Sequence, residues 1–253
     1  FKRGDRPLSG LTGLRGILGE VVEELGCRIV GGEWAPGEAI PREADIGEAL
    51  GVSRSVVREA FRILGAKGLI RSRTSDGTRV LPRRDWRLLD PDVMDWRIRA
   101  GDTTRLLEDL LLLRLALEPG VARLAASRSD ETAREAVARA WKAKVDVLQR
   151  DASDPMRRRD AFIETDLAFH EALLEAAGSD LLLQLYTVIE AAMRLLLDLQ
   201  MRARGYTSEA VGMEQSQELH AAVFEAFMTG DADRTEAAMR SLIEHAIRDA
   251  RDG

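Results

Sequence analysis

From about residue 103 to residue 251, apolar residues recur at the spacing of an α-helix, and no segment alternates in the manner of a strand. Short runs of serine, aspartate, proline and glycine interrupt this pattern, where they can end one helix and cap the next. The pattern predicts helices at residues 103–127, 131–150, 155–177, 180–204, 214–229 and 232–251. We therefore expect an antiparallel bundle of six or seven helices.

The preceding part of the chain has a different pattern. Residues 11–30 have helical spacing, and Ser53 is a good N-cap for a later helix in which Arg54 and Arg58 lie one turn apart. Gly68 can end that helix. A helix of this kind presents two cations to one groove or phosphate strand. Taken alone, a basic helix of this kind is more often a solvated surface helix.

Two short β-prone runs follow, at residues 69–73 and 78–81, and they flank a Ser75-Asp76-Gly77 turn. This arrangement predicts a two-stranded wing. Between Arg42 and Arg84 the chain has ten Lys or Arg and five Asp or Glu, a net charge of +5, although the whole 253-residue chain carries −6. The remainder, near −11, is acidic, so one module is suited to the phosphate backbone and the other is not.

The segment GGEWAPGEAIPRE, residues 31–43, resembles the entry of the GntR-family winged helix-turn-helix, and the resemblance extends from about Leu11 to Leu81. It implies a first helix at 43–50, a turn at Gly51 and then the recognition helix, with the wing tip near the minor groove. Many members have an arginine where this chain has Ala44, and Arg42 is a substitute. The DNA-contacting residues that the resemblance implies are Arg42, Ser53, Arg54, Ser55, Arg58, Gly77 and Thr78.

Residues 82–102 read as a linker with a short helix capped by Asp90. The runs LRLALEPGVARLAA (113–126), DLAFHEAL (166–173) and ELH (218–220) resemble the all-helical effector domain (FCD) of the FadR-type branch of GntR regulators. The resemblance covers roughly residues 103–250. The expected fold is mainly α: a winged helix-turn-helix at 11–81 and a helical effector-binding and dimerisation domain at 103–250.

The resemblance implies a divalent metal site above an anionic effector. Asp166 and His170 lie four residues apart and share a helix face, and His220 comes from another helix. Leu242 stands where the family has its last histidine, and His245 lies a turn further on, outside the expected site. Asp166, His170 and His220 could hold zinc, nickel or manganese. The alternative is a hydrogen-bonded polar cluster without metal.

Arg114 is the expected effector-binding residue, because a guanidinium on a leucine-rich helix needs an anionic partner and its fork suits a carboxylate. The alternative is an ordinary ion pair with Glu118, four residues on. Residues 86–96 resemble the linker helix of regulators of sugar-acid catabolism, such as galactonate-operon repressors. An aldonate would use Arg114 for its carboxylate, and Asp166, His170, His220 or a metal for its hydroxyls. Lactate-like acids are the next expectation.

The expected function is that of a homodimeric transcriptional repressor that binds operator DNA under control of a small carboxylate, and not that of an enzyme. Two rivals are a metal-dependent hydrolase or lyase and an effector-free architectural DNA-binding protein. The chain has no nucleophile elbow, phosphate loop or metalloprotease motif. The single cysteine, Cys27, and the lack of a long apolar run or signal-peptide pattern favour a cytoplasmic protein.

Overall fold

The computed structural model describes residues 16–73, 75–149, 155–203 and 211–252. The chain divides into two compact units, with the boundary between Leu106 and Leu107, and each unit has a hydrophobic core of its own. Among the described residues, no helix has both the length and the apolarity to cross a bilayer.

The first unit places a small sheet among short helices. The predicted helix at 43–50 is confirmed, whereas residues 11–15 of the predicted first helix lie outside the described residues. A 3₁₀ turn at Arg83–Asp85 follows the last strand. The helices are α1 (Ile17–Val30), α2 (Glu43–Leu50), α3 (Arg54–Ala66) and α4 (Pro91–Arg99), and the strands are β1 (Ala39–Ile40), β2 (Ile70–Arg73) and β3 (Gly77–Val80).

The connection between α2 and α3 is a tight turn. Gly51 ends α2 in the left-handed conformation, with φ of 66°, which glycine adopts without steric cost. Gly47 lets the turn close, because a Cβ there would lie 2.9 Å from the carbonyl oxygen of Val52. Ser53 then caps α3, and its Oγ accepts a hydrogen bond from the amide of Val56 at 3.4 Å. These contacts form the predicted helix-turn-helix.

The sheet has three strands rather than the two predicted for the wing. β3 is central and pairs antiparallel with β2, Ile70 opposite Val80, and with β1, Ala39 opposite Arg79. The sequence pattern missed β1 because two residues are too few to show a strand's alternation. β1 ties the loop before α2 to the wing.

Helix α4 packs against α1 within the first unit. Asp90 caps it, as predicted, by accepting from the amide of Asp92 at 3.0 Å, and Pro91 occupies its first turn. The Trp96 indole is fully buried and lies over Gly26, where a Cβ would come within 2.5 Å of the ring. The core under the helix-turn-helix therefore includes the helix that follows the wing.

The second unit is all helical over its described residues, as predicted, and each helix boundary agrees with the sequence pattern within a few residues. The helices are α5 (Thr103–Arg128), α6 (Glu131–Gln149), α7 (Pro155–Ala176), α8 (Asp180–Ala203), α9 (Val211–Met228) and α10 (Ala232–Asp252). Contacts join α6 to α7, α7 to α8, α9 to α10 and α6 to α9. The core is apolar and includes Phe169, Leu173 and Phe227.

Candidate functional site

The exposed face of α3 carries the arginines predicted to meet DNA. Arg54, Ser55 and Arg58 are exposed, while Val57 and Ala60 face the core of the unit. Arg54 Nε donates to Glu43 at 3.0 Å, an exposed ion pair that contributes little stability and can exchange for a phosphate. The helix thus has a buried apolar face and a basic outer face.

The wing adds further basic groups to the first unit. Gly77 opens β3 with φ of 72°, and the Thr78 hydroxyl lies 2.8 Å from the hydroxyl of Ser72. Arg71 and Arg73 are exposed on β2, and sequence reasoning did not include them among the DNA-contacting residues. The signal was their alternation along a strand, which points two cations to one side of the wing.

Arg42 immediately precedes α2 and is exposed, and Ala44 in the first turn of α2 is exposed as well. A substitute basic residue is therefore accessible near the position where family members have an arginine. Arg42 adopts an extended conformation, with φ of −64° and ψ of 153°.

In the second unit, four helices bring charged and imidazole side chains together in the apolar core. They are Arg114 and Glu118 on α5, Lys144 on α6, Asp166 and His170 on α7, and His220 on α9, and we refer to these six residues as the polar cluster. All six are buried, although charged side chains are rarely buried unless they are paired.

One side of the polar cluster is built around Arg114. Its Nε donates to Glu118 Oε1 at 2.5 Å, and its Nη2 lies 3.1 Å from His170 Nε2. The ion pair that was the alternative interpretation of Arg114 is therefore present, but it is buried and joined to the histidine. Burial disfavours the charge on Glu118, yet Arg114 and His170 outweigh it and lower the pKa of that carboxyl to about 2.

The other side is built around Asp166. Lys144 Nζ donates to its Oδ1 at 2.7 Å, and His220 Nε2 lies 3.1 Å from the same oxygen. Burial alone would raise the pKa of Asp166, but Lys144 and His220 hold it well below its usual value. Asp166 is therefore an anion in the core.

The two histidines face each other through their Nε2 atoms, 3.2 Å apart. His220 Nδ1 donates to the carbonyl oxygen of Ser216 at 2.6 Å, and His170 Nδ1 lies 2.8 Å from Glu118 Oε2. A carbonyl oxygen can only accept, so Nδ1 of His220 carries a proton, and the Nε2 atoms of the two rings meet between Asp166 and Arg114. Burial lowers the pKa of His220 to about 4 and keeps it neutral.

Three potential metal-ligand residues of the polar cluster lie close together. One ligand atom from each of Asp166, His170 and His220 lies within 4.8 Å of the other two. The predicted ligand residues are thus brought together, and a carboxylate oxygen and imidazole nitrogens are donor types that bind divalent metals. Leu242 is buried in the core, and His245 lies 3.2 Å from Asp249 on its own helix.

Lys144 argues against a tightly held divalent ion. Its ammonium group binds the same Asp166 oxygen that faces His220, so a metal at that oxygen would sit beside a positive charge. Leu242 supplies no fourth protein ligand. The donor atoms therefore suit a metal in type, but the ammonium beside them does not fit a dication.

Sequence reasoning missed Lys144 and Tyr186. Lys144 occupies the apolar stripe of α6, in step with Val137, Trp141 and Val147, and that position on the stripe was the available signal. Tyr186 on α8 is 3% exposed, and no described residue forms a hydrogen bond with its hydroxyl. Burial and the nearby Glu118 carboxylate raise the pKa of that phenol well above its usual value.

An aromatic wall borders the histidines. Phe169 meets His170 and His220 edge to face, with ring centroids 6.0 and 5.7 Å apart. Trp141 stacks on Phe224 at 5.2 Å and tilts against Phe169 at 5.8 Å. This wall places apolar surface beside the polar cluster, where electrostatic interactions are stronger than in water.

Comparison with known proteins agrees with the two units. Residues 18–80 match the description bacterial regulatory proteins, gntR family, and residues 109–245 match the FCD domain. The chain is 31% identical over 228 residues to the galactonate operon transcriptional repressor of Escherichia coli K12, which covers 90% of this chain and 94% of that protein.

Two other relatives cover most of the chain. The uncharacterized HTH-type transcriptional regulator YieP of E. coli K12 is 30% identical over 241 residues, 94% of this chain and 97% of that protein. The putative L-lactate dehydrogenase operon regulatory protein of the same strain is 28% identical over 229 residues, 89% and 83% respectively. The chain therefore belongs to the gntR family of bacterial regulatory proteins, with a C-terminal FCD domain, and is a transcriptional regulator rather than an enzyme.

Proposed function

We propose that this regulator is a homodimeric repressor whose FCD domain binds a small carboxylate and thereby changes its affinity for operator DNA. The observation that carries the proposal is the polar cluster. Burying two ion pairs and two histidines is no more stabilising than apolar packing of the same volume, and is often less so. A function in binding a polar ligand accounts for such a cluster better than stability does.

Arg114 is the residue proposed to receive the effector carboxylate, since a guanidinium forms bidentate bonds with that group. Asp166, His170 and His220 would accept or donate hydrogen bonds to hydroxyl groups of the same molecule. The Tyr186 hydroxyl, which forms no hydrogen bond with the residues that the structure describes, is a further candidate, because a buried hydroxyl gains from a ligand that satisfies it. The chemistry favours a hydroxylated acid over a long acyl chain.

A sugar acid such as an aldonate is the favoured effector, and a short hydroxy acid such as lactate is the next. The galactonate operon repressor and the lactate dehydrogenase operon regulator are both relatives of the chain over most of its length. Both acids present one carboxylate and at least one hydroxyl, which is what the donors and acceptors of the polar cluster can recognise.

DNA binding is proposed to use the exposed basic face of the first unit. The recognition helix α3 would enter the major groove, and the wing would lie along the neighbouring backbone or minor groove. Arg54 and Arg58 are the candidates for base contacts. The proposed contacts are Arg42, Ser53, Arg54, Ser55, Arg58, Gly77 and Thr78.

The test is a thermal-shift series on the purified protein with aldonic, uronic and short hydroxy acids. A ligand at about one hundred times its dissociation constant should stabilise the fold by roughly 2.7 kcal/mol. Arg114→Ala should abolish this shift, and Arg114→Lys, which keeps the charge but loses the fork, should weaken it. Arg123→Ala on the same helix is the control, because that side chain is 46% exposed.

The acid that shifts the melting temperature should also change the affinity for DNA, measured by fluorescence anisotropy with an operator selected from random duplexes. A shift that persists in Arg114→Ala would move the effector away from this arginine. DNA binding that no acid changes would instead favour an effector-free architectural protein.

A further inference from the structure

The Lys144 ammonium group is a buried positive charge within the polar cluster. It lies on α6 with no exposed surface, and its Nζ donates to Asp166 Oδ1 at 2.7 Å. The ammonium also lies 4.4 Å from the ring centroid of Phe162, within range of a cation–π interaction. A carboxylate on one side and an aromatic face on the other thus fix the position of the charge.

The four Arg, Glu, Lys and Asp side chains of the polar cluster form two ion pairs whose formal charges cancel without any bound ion. Arg114 pairs with Glu118, and Lys144 pairs with Asp166. A divalent ion bound between Asp166 and the histidines would add two positive charges to a buried site that is already balanced. Such an uncompensated charge is costly in a core from which water is excluded.

We infer that Lys144 replaces the divalent metal of this effector site, so that the protein responds to its acid without a metal ion. The effector, a small hydroxylated carboxylate, would bind to the protein's own cations, Arg114 and Lys144. The inference concerning the metal rests on the contacts of Lys144 and on the two ion pairs of the polar cluster. The statement about the effector rests on the proposed function.

Removing the ammonium should convert the site into a metal site. In Lys144→Met the Asp166 carboxylate loses its counter-charge, and Asp166, His170 and His220 keep their three donor atoms, while Arg114 remains 3.1 Å from His170 Nε2. We expect Zn²⁺ or Ni²⁺ to bind to this variant at least about tenfold more tightly than to the wild type, because the repulsion from the Lys144 ammonium is gone. Isothermal titration of chelator-treated protein with each metal alone measures this difference.

Lys142→Met is the matched control. Lys142 lies on the same helix two residues away, with its side chain 77% exposed and paired with Asp146 at 3.5 Å. The Lys142→Met substitution removes the same charge from the chain without changing the polar cluster. The metal affinity of this variant should equal that of the wild type. Equal metal affinity in the wild type, Lys142→Met and Lys144→Met would overturn the inference.

The wild type alone provides a second test that does not depend on a variant folding. Elemental analysis after desalting should find far less than one equivalent of transition metal per chain. Stoichiometric metal that Asp166→Asn removes would refute the role of Lys144.

The thermal shift produced by an aldonic or hydroxy acid should survive excess chelator. A shift that chelator abolishes and zinc restores would show that the effector needs a metal, against the inference. No shift with any acid would instead count against the proposed function, while the metal titrations would still decide the role of Lys144.

Discussion

At the scale of single residues, Gly26 shows how closely two helices of the first unit approach. The Trp96 ring occupies the space where a Cβ would lie, at 2.5 Å. Gly26→Ala should lower the free energy of unfolding by about 1–3 kcal/mol, because the indole must move out of a packed core. Urea denaturation followed by circular dichroism measures the loss.

Gly65→Ala is the control for this substitution. Gly65 is exposed on α3, and a Cβ there would be 3.6 Å from the nearest oxygen, an ordinary contact. Alanine at that helical position should leave stability unchanged or raise it by up to about 1 kcal/mol. Equal losses in the two variants would show that the contact with Trp96 is unimportant.

The pKa of His220 predicts an acid-sensitive fold. Burial lowers this pKa from 6.5 to about 4, so the unfolded chain takes up a proton more readily than the folded one. Above about pH 6.5 the histidine is neutral in both states and does not affect the free energy of unfolding. As the pH falls from 6.5 toward 4, the free energy of unfolding should decrease by roughly 3 kcal/mol. Unfolding free energies measured between pH 7 and pH 4.5, with chelator present, test this.

His220→Asn should flatten that part of the pH profile, because the amide can still donate to Ser216 but does not titrate in this range. Protonation of Glu118 does not contribute to the change in stability between pH 7 and pH 4.5. Its folded-state pKa is about 2, so its contribution is lost only below about pH 4.5. A slope that is the same in both proteins would assign the sensitivity to other groups.

Residue spacing predicted part of the polar cluster. Asp166 and His170, four positions apart, do share one face, and Arg114 does have an ion-pair partner in Glu118. Lys144 was not predicted as part of the cluster, because two lysines two residues apart, Lys142 and Lys144, are typical of a solvated helix face. Which lysine turns inward depends on the packing of α6 against its neighbours, and spacing along one helix does not contain that information.

At the scale of elements, α3 is the helix whose alteration should affect DNA binding. Arg58→Ala should weaken binding to the selected operator by about 1–3 kcal/mol if the side chain reaches a base, and the affinity should then discriminate less between sequences. If Arg58 binds a phosphate, the slope of log K against log salt should fall by about one. Fluorescence anisotropy across salt concentrations separates these outcomes.

Arg139→Ala serves as the control for lost positive charge. Arg139 is 70% exposed on α6 of the second unit, where its nearest carboxylate, on Glu135, is 3.8 Å away. Its removal should leave operator affinity unchanged. Undiminished binding by Arg58→Ala at every salt concentration would contradict the assignment of α3.

Element types and boundaries were largely predictable, since helical spacing and capping residues are local signals. The bounds of α2 and the cap of α4 agree with the sequence pattern. The two-residue strand β1 was not predictable, and neither was the docking of α4 on α1, because both depend on partners distant in the chain. Local pattern specifies a helix but not what the helix packs against.

At the scale of the whole molecule, the separation of charge favours a symmetric dimer on DNA. A single unit with a net charge of +5 between Arg42 and Arg84 offers few phosphate contacts. Two linked copies on a palindrome raise the effective concentration of the second contact. We expect a mass twice that of one chain by analytical ultracentrifugation.

The same dimer should bind a palindromic operator at least about 100-fold more tightly than a duplex with one intact half-site. Insertion of five base pairs between the half-sites should reduce affinity comparably, because it rotates one site to the opposite face of the duplex. Equal affinity for whole and half operators would indicate that each chain binds alone.

Three of the four tryptophans belong to the first unit, and Trp141 alone belongs to the second. Trp141 stacks on Phe224 and tilts on Phe169, which in turn contacts His170 and His220. The protein therefore contains a natural fluorophore one aromatic layer from the two histidines of the polar cluster. Replacement of the other three indoles by phenylalanine would leave an emission signal from the FCD domain alone, readable in a stopped-flow instrument without any attached dye.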